Sequence, residues 1–132
     1  MKVIFVNGCF DILHRGHLEL LSYAKSLGDK LIVAIDSDKK VKLSKGPDRP
    51  INTAADRRYF LSCMQFVDEV KIFNSATELE DLIKDISPDI MLVGTDWQGK
   101  HIVGGQYAKE IKYFKKIDGY STTQIIEYIS NR

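Results

Sequence analysis

Short runs rich in Val, Ile and Phe alternate along this chain with longer stretches whose apolar residues recur at helical spacing, and few folds accommodate that alternation. Strands are expected at Val3 to Val6, Leu31 to Ile35, Glu69 to Phe73, Ile90 to Val93 and Ile111 to Phe114. Runs this apolar fit a sheet buried on both faces. Leu18, Leu20, Leu21, Ala24 and Leu27 put an apolar stripe on a first helix, which Gly28 is expected to close in left-handed geometry. A second helix is predicted from Thr53 or Ala54 to about Gln65, and a third from Thr77 to Ile86 ahead of Pro88, with Thr77 and Glu80 fitting a capping box. The last runs from Ser121 to Ile129, and Ser44 to Pro50 reads as a loop. The expected fold class is α/β, a Rossmann-like three-layer arrangement with a five-stranded, mainly parallel sheet, in a single domain over residues 1–132.

The 132 residues carry 19 Lys and Arg against 18 Asp and Glu, a formal net charge of +1. No whole-molecule field then draws in nucleic acid or an anionic membrane, so phosphate binding has to be local. Tyr59, Phe60 and Phe66 follow helical spacing instead of forming a basic aromatic stripe, which speaks against a nucleic-acid module. The opening apolar run passes straight into Asn7 and Gly8, too short for a signal peptide or membrane span, and a cytoplasmic location is expected. Cys9 and Cys63 lack the spacing of a metal knuckle or redox pair and are expected as plain thiols.

Asn7 and Gly8 break the first strand, and the next helix begins near Gly16 with His14 and His17 three residues apart on one side. Gly8 leaves room for a ligand at the backbone, while free amides and the positive end of the helix dipole favour phosphate oxygens. Two imidazoles there can donate to the same anion. As zinc ligands they have only His101 as a third imidazole, and no Cys or acidic cluster completes a site.

Gly8-Cys9-Phe10-Asp11 followed by His14-Arg15-Gly16-His17 resembles the HxGH signature of the cytidylyltransferase-like nucleotidyltransferases. The likeness continues, in the family's order, through Ser37 and Asp38, Arg49-Pro50-Ile51-Asn52 with Asp56-Arg57-Arg58, Pro88-Asp89, and Asp118 to Thr123. It implies that His14 and His17 hold the phosphates of a nucleoside triphosphate and stabilise charge as pyrophosphate leaves. By the same resemblance Lys45, in a glycine-containing loop, and Thr122 join them in catalysis, and Lys45 and Arg57 contact phosphates. The implied nucleotide site takes in Asn7, Gly8, Cys9, Phe10, Asp11, Gly16, Arg57, Gly94, Asp96, Trp97, Ser121, Thr122 and Thr123. Ser and Thr at the last helix start also suit anion binding on physical grounds, and capping by itself would explain Ser121. Cys9 stands where the family often has a small hydroxyl residue, with no consequence expected for catalysis. A homodimer is implied as well, with Tyr59, Phe60, Met64 and Phe66 available to its interface or to the core.

Nucleotidyl transfer needs an oxygen nucleophile in line with departing pyrophosphate, so orientation and charge neutralisation supply most of the catalysis. A phosphate monoester acceptor, with a second pKa of about 6, is largely dianionic at neutral pH and needs no side-chain base. A Mg²⁺ ion would bridge phosphate oxygens with few protein ligands; Asp11 is a candidate carboxylate for it, or else orients loop amides. Asp96-Trp97-Gln98-Gly99-Lys100 resembles the DWxGK segment of glycerol-3-phosphate cytidylyltransferases, which implies CTP. Lys45-Gly46, Arg49 to Asn52, Ile102-Val103-Gly104 and Asp118 to Thr123 are more similar to the nucleotidyltransferase domain of bacterial heptose-phosphate enzymes, which use ATP on a sugar 1-phosphate. Lys116-Ile117-Asp118 also replaces the Arg-Thr-Glu usual in the glycerol-phosphate enzymes, removing a fork-shaped guanidinium. The expected acceptor is therefore a sugar phosphate, with glycerol 3-phosphate second and flavin mononucleotide third. Trp97 either stacks on the base or packs beside the sheet. The alternative from another class is a nucleotide sensor without turnover.

Overall fold

In the computed structural model, which describes residues 1–132, five strands alternate with five helices. The strands are β1 (Val3–Gly8), β2 (Lys30–Asp36), β3 (Glu69–Phe73), β4 (Ile90–Gly94) and β5 (Glu110–Phe114); the helices are α1 (Arg15–Ser26), α2 (Asp38–Lys45), α3 (Ala54–Ser62), α4 (Ala76–Ile86) and α5 (Thr122–Ser130). All five expected strands form, and every pairing is parallel, in the order β3-β2-β1-β4-β5.

Alternation along each strand divides the core between the two faces of the sheet. Ile4, Val6, Leu31, Val33, Ile35, Ile90 and Leu92 pack on one side with Leu21 and Ala24 of α1 and Leu61 of α3. Phe5, Ile32, Ala34, Phe73 and Met91 pack on the other with Leu79 and Ile83 of α4. Each such buried aliphatic side chain contributes about 1.5–3 kcal/mol, so both helical layers are held by the strands between them.

The sheet also fixes where a ligand can enter. β1 pairs with β2 over six residues, Val3 to Gly8, but with β4 over two, Ile4 with Ile90 and Phe5 with Met91. Beyond that point the carboxyl ends of β1 and β4 diverge. This is the switch point of the strand order, where open α/β sheets take their ligands.

Four expected helix features are corrected. Gly28 does not take left-handed geometry: α1 ends at Ser26 with Leu27 right-handed at the cap, and among the glycines positive φ is found at Gly46, Gly99, Gly104 and Gly119. The glycine is needed for close approach, because a Cβ there would stand 2.8 Å from the Lys2 carbonyl oxygen. α3 stops at Ser62, short of Gln65, as the chain turns to bring Met64 and Phe66 against the core. α4 is capped by Ser75, whose Oγ accepts from the Glu78 amide at 3.1 Å, so the capping pair lies two residues ahead of Thr77 and Glu80. α2 occupies a segment read partly as loop; Val41 is its one buried residue, which leaves no apolar stripe to detect.

Candidate active site

The divergence of β1 and β4 opens a cleft of about 410 Å³. Val6, Asn7 and Gly8 line it from β1 and Val93 and Gly94 from β4; Cys9, Phe10, His14, Gly16 and His17 follow from the turn and the start of α1. Asp96 and Trp97 also line it, as do Ser121, Thr122 and Thr123 at the start of α5. Lys45 reaches it from the end of α2 and not from a loop.

His14 and His17 form a reciprocal cap on α1. His14 Nδ1 accepts from the Gly16 amide at 3.0 Å, and His17 Nδ1 accepts from the His14 amide at 3.2 Å. An Nδ1 that accepts carries no proton, so each neutral ring carries its proton on Nε2, where it remains available as a donor. Burial pushes the His14 pKa down. It also pushes His17 down, to about 4, reinforced by the nearby charges of His14 and Lys45 and opposed by Asp11. Both rings are therefore neutral at pH 7, with centroids 3.9 Å apart. The glycine between them is sterically required, since a Cβ on Gly16 would meet His14 Cε1 at 2.8 Å and Tyr120 Cβ at 3.3 Å. One sequence expectation shifts here: the Gly16 amide is taken by the His14 ring, so the donors this helix start presents are chiefly the two Nε2 groups.

The turn that carries the histidines is strained and held on both sides. Phe10 and Ile12 have φ of 54° and 45°, a region costly for a β-branched residue, by about 1–3 kcal/mol. Asp11 between them is buried, and its carboxylate accepts from the amides of Ile12, Ile51 and Asn52 at 3.1, 2.6 and 2.9 Å. Thr122 Oγ1 donates to the Asp11 carbonyl at 2.6 Å and the Ile12 carbonyl at 3.3 Å. These contacts revise two expected roles. Asp11 does not line the cleft and is engaged by three amides, so it orients the loop and is not placed to hold Mg²⁺. Thr122 lines the cleft, but its hydroxyl proton ties α5 to the histidine turn, a positioning task.

Arg57 is the other revision. It is 1 % exposed and lies outside the cleft, where its guanidinium donates to the Cys9 carbonyl at 2.8 Å, the Asn52 carbonyl at 3.0 Å and Asp38 Oδ1 at 2.9 Å. A buried guanidinium that bonds to its own chain through all three nitrogens braces the turn from behind and is not presented to the cleft. Sequence alone pairs charge with phosphate; burial reverses that assignment. Ser121 caps α5, its Oγ accepting from the Gln124 amide at 3.2 Å, and it lines the cleft.

The cleft's charge comes from Lys45, Arg49 and Lys116 against the single carboxylate of Asp96, which lies 3.5 Å from Lys116 Nζ. A nearly neutral chain thus concentrates positive charge where phosphates would lie. Arg49, Lys116, Ile117 and Tyr120 were not among the expected site residues, although all belong to motif segments. Tyr120 stacks at 6.1 Å on His14. Burial raises the Cys9 thiol, leaving it protonated and no nucleophile. His101 is exposed, no group of three or more His, Cys, Asp or Glu gathers as a metal site, and no helix is long and apolar enough to cross a membrane.

A second cavity of about 350 Å³ adjoins the first across Asn7, Gly8, Cys9, Lys45 and Trp97. Phe73, Leu79, Met91, Ile102 and Val103 line it with apolar surface, and Asp36 and Lys40, 3.0 Å apart, add polar groups.

Comparison with known proteins agrees with this geometry. The cytidylyltransferase-like family model matches residues 5–128. Over 126 residues the chain is 50% identical to the bifunctional protein HldE of a Nitratiruptor species, and over 127 residues 47% identical to that of Campylobacter fetus subsp. fetus. Each match takes in 96% of this chain but 27% and 28% of the relative, so the chain spans about a quarter of the length of these curated relatives. The crystal structure of the lipopolysaccharide core biosynthesis protein from Thermoplasma volcanium GSS1 has the same fold, with a TM-score of 0.72 at 25% identity over 89% of this chain and 99% of that one. With the histidine turn, the parallel sheet and nearly its whole length matched, the chain belongs to the cytidylyltransferase-like family of nucleotidyltransferases.

Proposed function

We propose that this chain transfers a nucleoside monophosphate from a nucleoside triphosphate to a sugar phosphate, releasing pyrophosphate and forming a nucleoside diphosphate sugar. The observation that carries this is the reciprocal cap of His14 and His17, which presents two neutral Nε2–H donors in a cleft also lined by Lys45 and the start of α5. An acceptor phosphate oxygen attacks the α-phosphorus, the bond to the bridging α,β-oxygen breaks, and its electron pair leaves with pyrophosphate. The histidines donate to the charge that accumulates there, a contribution that grows as the bond breaks. No side chain needs to remove a proton.

The two cavities suit the two substrates. The triphosphate lies on the histidine side, and the acceptor's carbon skeleton enters through the second cavity, so that attack comes from the side opposite the leaving group. An apolar wall with an ion pair at its rim suits a sugar ring, which presents carbon-bound hydrogens on its faces and hydroxyls around its edge. The lipopolysaccharide core biosynthesis protein sharing this fold supports a sugar acceptor. Glycerol 3-phosphate with CTP is the second reading, favoured by Asp96 and Trp97 at the cleft. If Mg²⁺ accompanies the nucleotide, Asp96, the one carboxylate lining the cleft, would be the protein group to hold it, and the ion would supply charge neutralisation. Exposed Tyr59 and Phe60 on α3 offer a homodimer contact.

A panel of ATP and CTP against sugar 1-phosphates, glycerol 3-phosphate and flavin mononucleotide, read by pyrophosphate release, tests this. Turnover with a sugar phosphate is expected. Turnover with glycerol 3-phosphate alone selects the second reading, and nucleotide binding without release for any acceptor makes the protein a sensor.

A further inference from the structure

Arg49 lies on the connection between α2 and α3 and lines the cleft on the histidine side, not the second cavity. Its backbone is fixed. The Arg49 amide donates to the Gly46 carbonyl at 3.2 Å, its carbonyl accepts from Lys42 Nζ at 3.3 Å, and the amides of Ile51 and Asn52 just beyond are held by Asp11. Its side chain is unmatched. The guanidinium enters no ion pair, and Nε is buried without a hydrogen-bond partner. A buried donor left unsatisfied is costly, more so in a charged group, and a ligand supplying acceptor oxygens removes that cost.

The contrast with Arg57 is informative, because that guanidinium is engaged throughout by its own chain. Among the cations lining the cleft, Lys45 and Lys116 present point charges, and only Arg49 presents a fork able to span two phosphate oxygens. Its absence from the second cavity separates it from the acceptor's skeleton. Resting on the nucleotidyl-transfer reading, we infer that Arg49 clamps the β- and γ-phosphates of the nucleotide and holds pyrophosphate as it departs. Its contact strengthens as charge moves onto the leaving group, so its removal lowers kcat as well as raising KM.

Calorimetric titration with inorganic pyrophosphate and, separately, with the nucleoside monophosphate tests this on the wild-type chain, Arg49→Gln and Arg49→Lys, alongside turnover. Arg49→Gln should weaken pyrophosphate binding by about tenfold or more and leave monophosphate binding within about twofold. Arg49→Lys, which keeps the charge without the fork, should recover only part of the loss and serves as the folded control. Pyrophosphate binding equal to wild type in Arg49→Gln overturns the assignment, as does an equal loss for both probes, which would place the contact at the α-phosphate. A wild-type chain that neither binds pyrophosphate nor turns over defeats the nucleotidyl-transfer reading itself, and this inference with it.

Discussion

His14 and His17 each do two jobs, one with each ring nitrogen, and the jobs separate by mutation. His14→Asn places a strong N-cap residue at the same position, so helix stability should hold within about 0.5 kcal/mol while the Nε2 donor is lost. Turnover should then fall about a hundredfold, and His17→Ala should do likewise with the fold retained, as pyrophosphate release and denaturant unfolding will show. Protonation gives an independent check. His17 is pushed down from about 6.5 to about 4 in the folded chain, so the unfolded chain takes up its proton first as the pH falls. Its contribution to stability is complete above about pH 6.5 and declines as the pH drops toward 4; unfolding midpoints across that window should fall, and fall less in His17→Ala. For Arg57 the predicted effect is on stability: Arg57→Ala empties a buried site and leaves the Cys9 and Asn52 carbonyls without their partner, and should cost about 2–5 kcal/mol. The sequence identified the histidines because their spacing is itself the motif. It misplaced Arg57, since whether a guanidinium faces phosphate or its own chain is decided by burial, which no residue type reveals.

At the level of elements, the turn between β1 and α1 works because three separate segments hold it. Asp11 ties it to residues 51 and 52, Thr122 ties it to α5, and Arg57 braces it through the Cys9 carbonyl. None of these contacts spans fewer than 40 residues, so local sequence patterns could not disclose them. Gly16 shows the local side of the same design. Gly16→Ala improves helix propensity by up to about 1 kcal/mol, yet its methyl displaces the His14 ring and with it the α1 cap, about 0.5–2 kcal/mol, so stability should stay level or fall while turnover drops at least about tenfold. Strands and the first helix were legible because each buries a periodic apolar set. α2 was not, because it buries Val41 alone, and the consequence was to put Lys45 on a loop when it ends a helix.

For the whole molecule, the α/β class followed from alternation, but the site's location follows from strand order and from the two-residue pairing of β1 with β4. That pairing is a property of the assembled sheet, and it creates the cleft on one side and lets the second cavity adjoin it on the other. The division of labour between cavities is open to a steric test. Ala76, exposed at the start of α4, lines the second cavity only, so Ala76→Trp should block the acceptor and raise its KM by about tenfold or more while nucleotide binding stays unchanged.

The central claim is that the bond broken lies between the α- and β-phosphates. Nucleoside triphosphate labelled at the α- or the γ-phosphate, incubated with the sugar phosphate and the protein, tests it most directly. α-Label should appear in the nucleoside diphosphate sugar, and γ-label in pyrophosphate alone. γ-Label on the acceptor, or α-label remaining in the nucleotide, would contradict it.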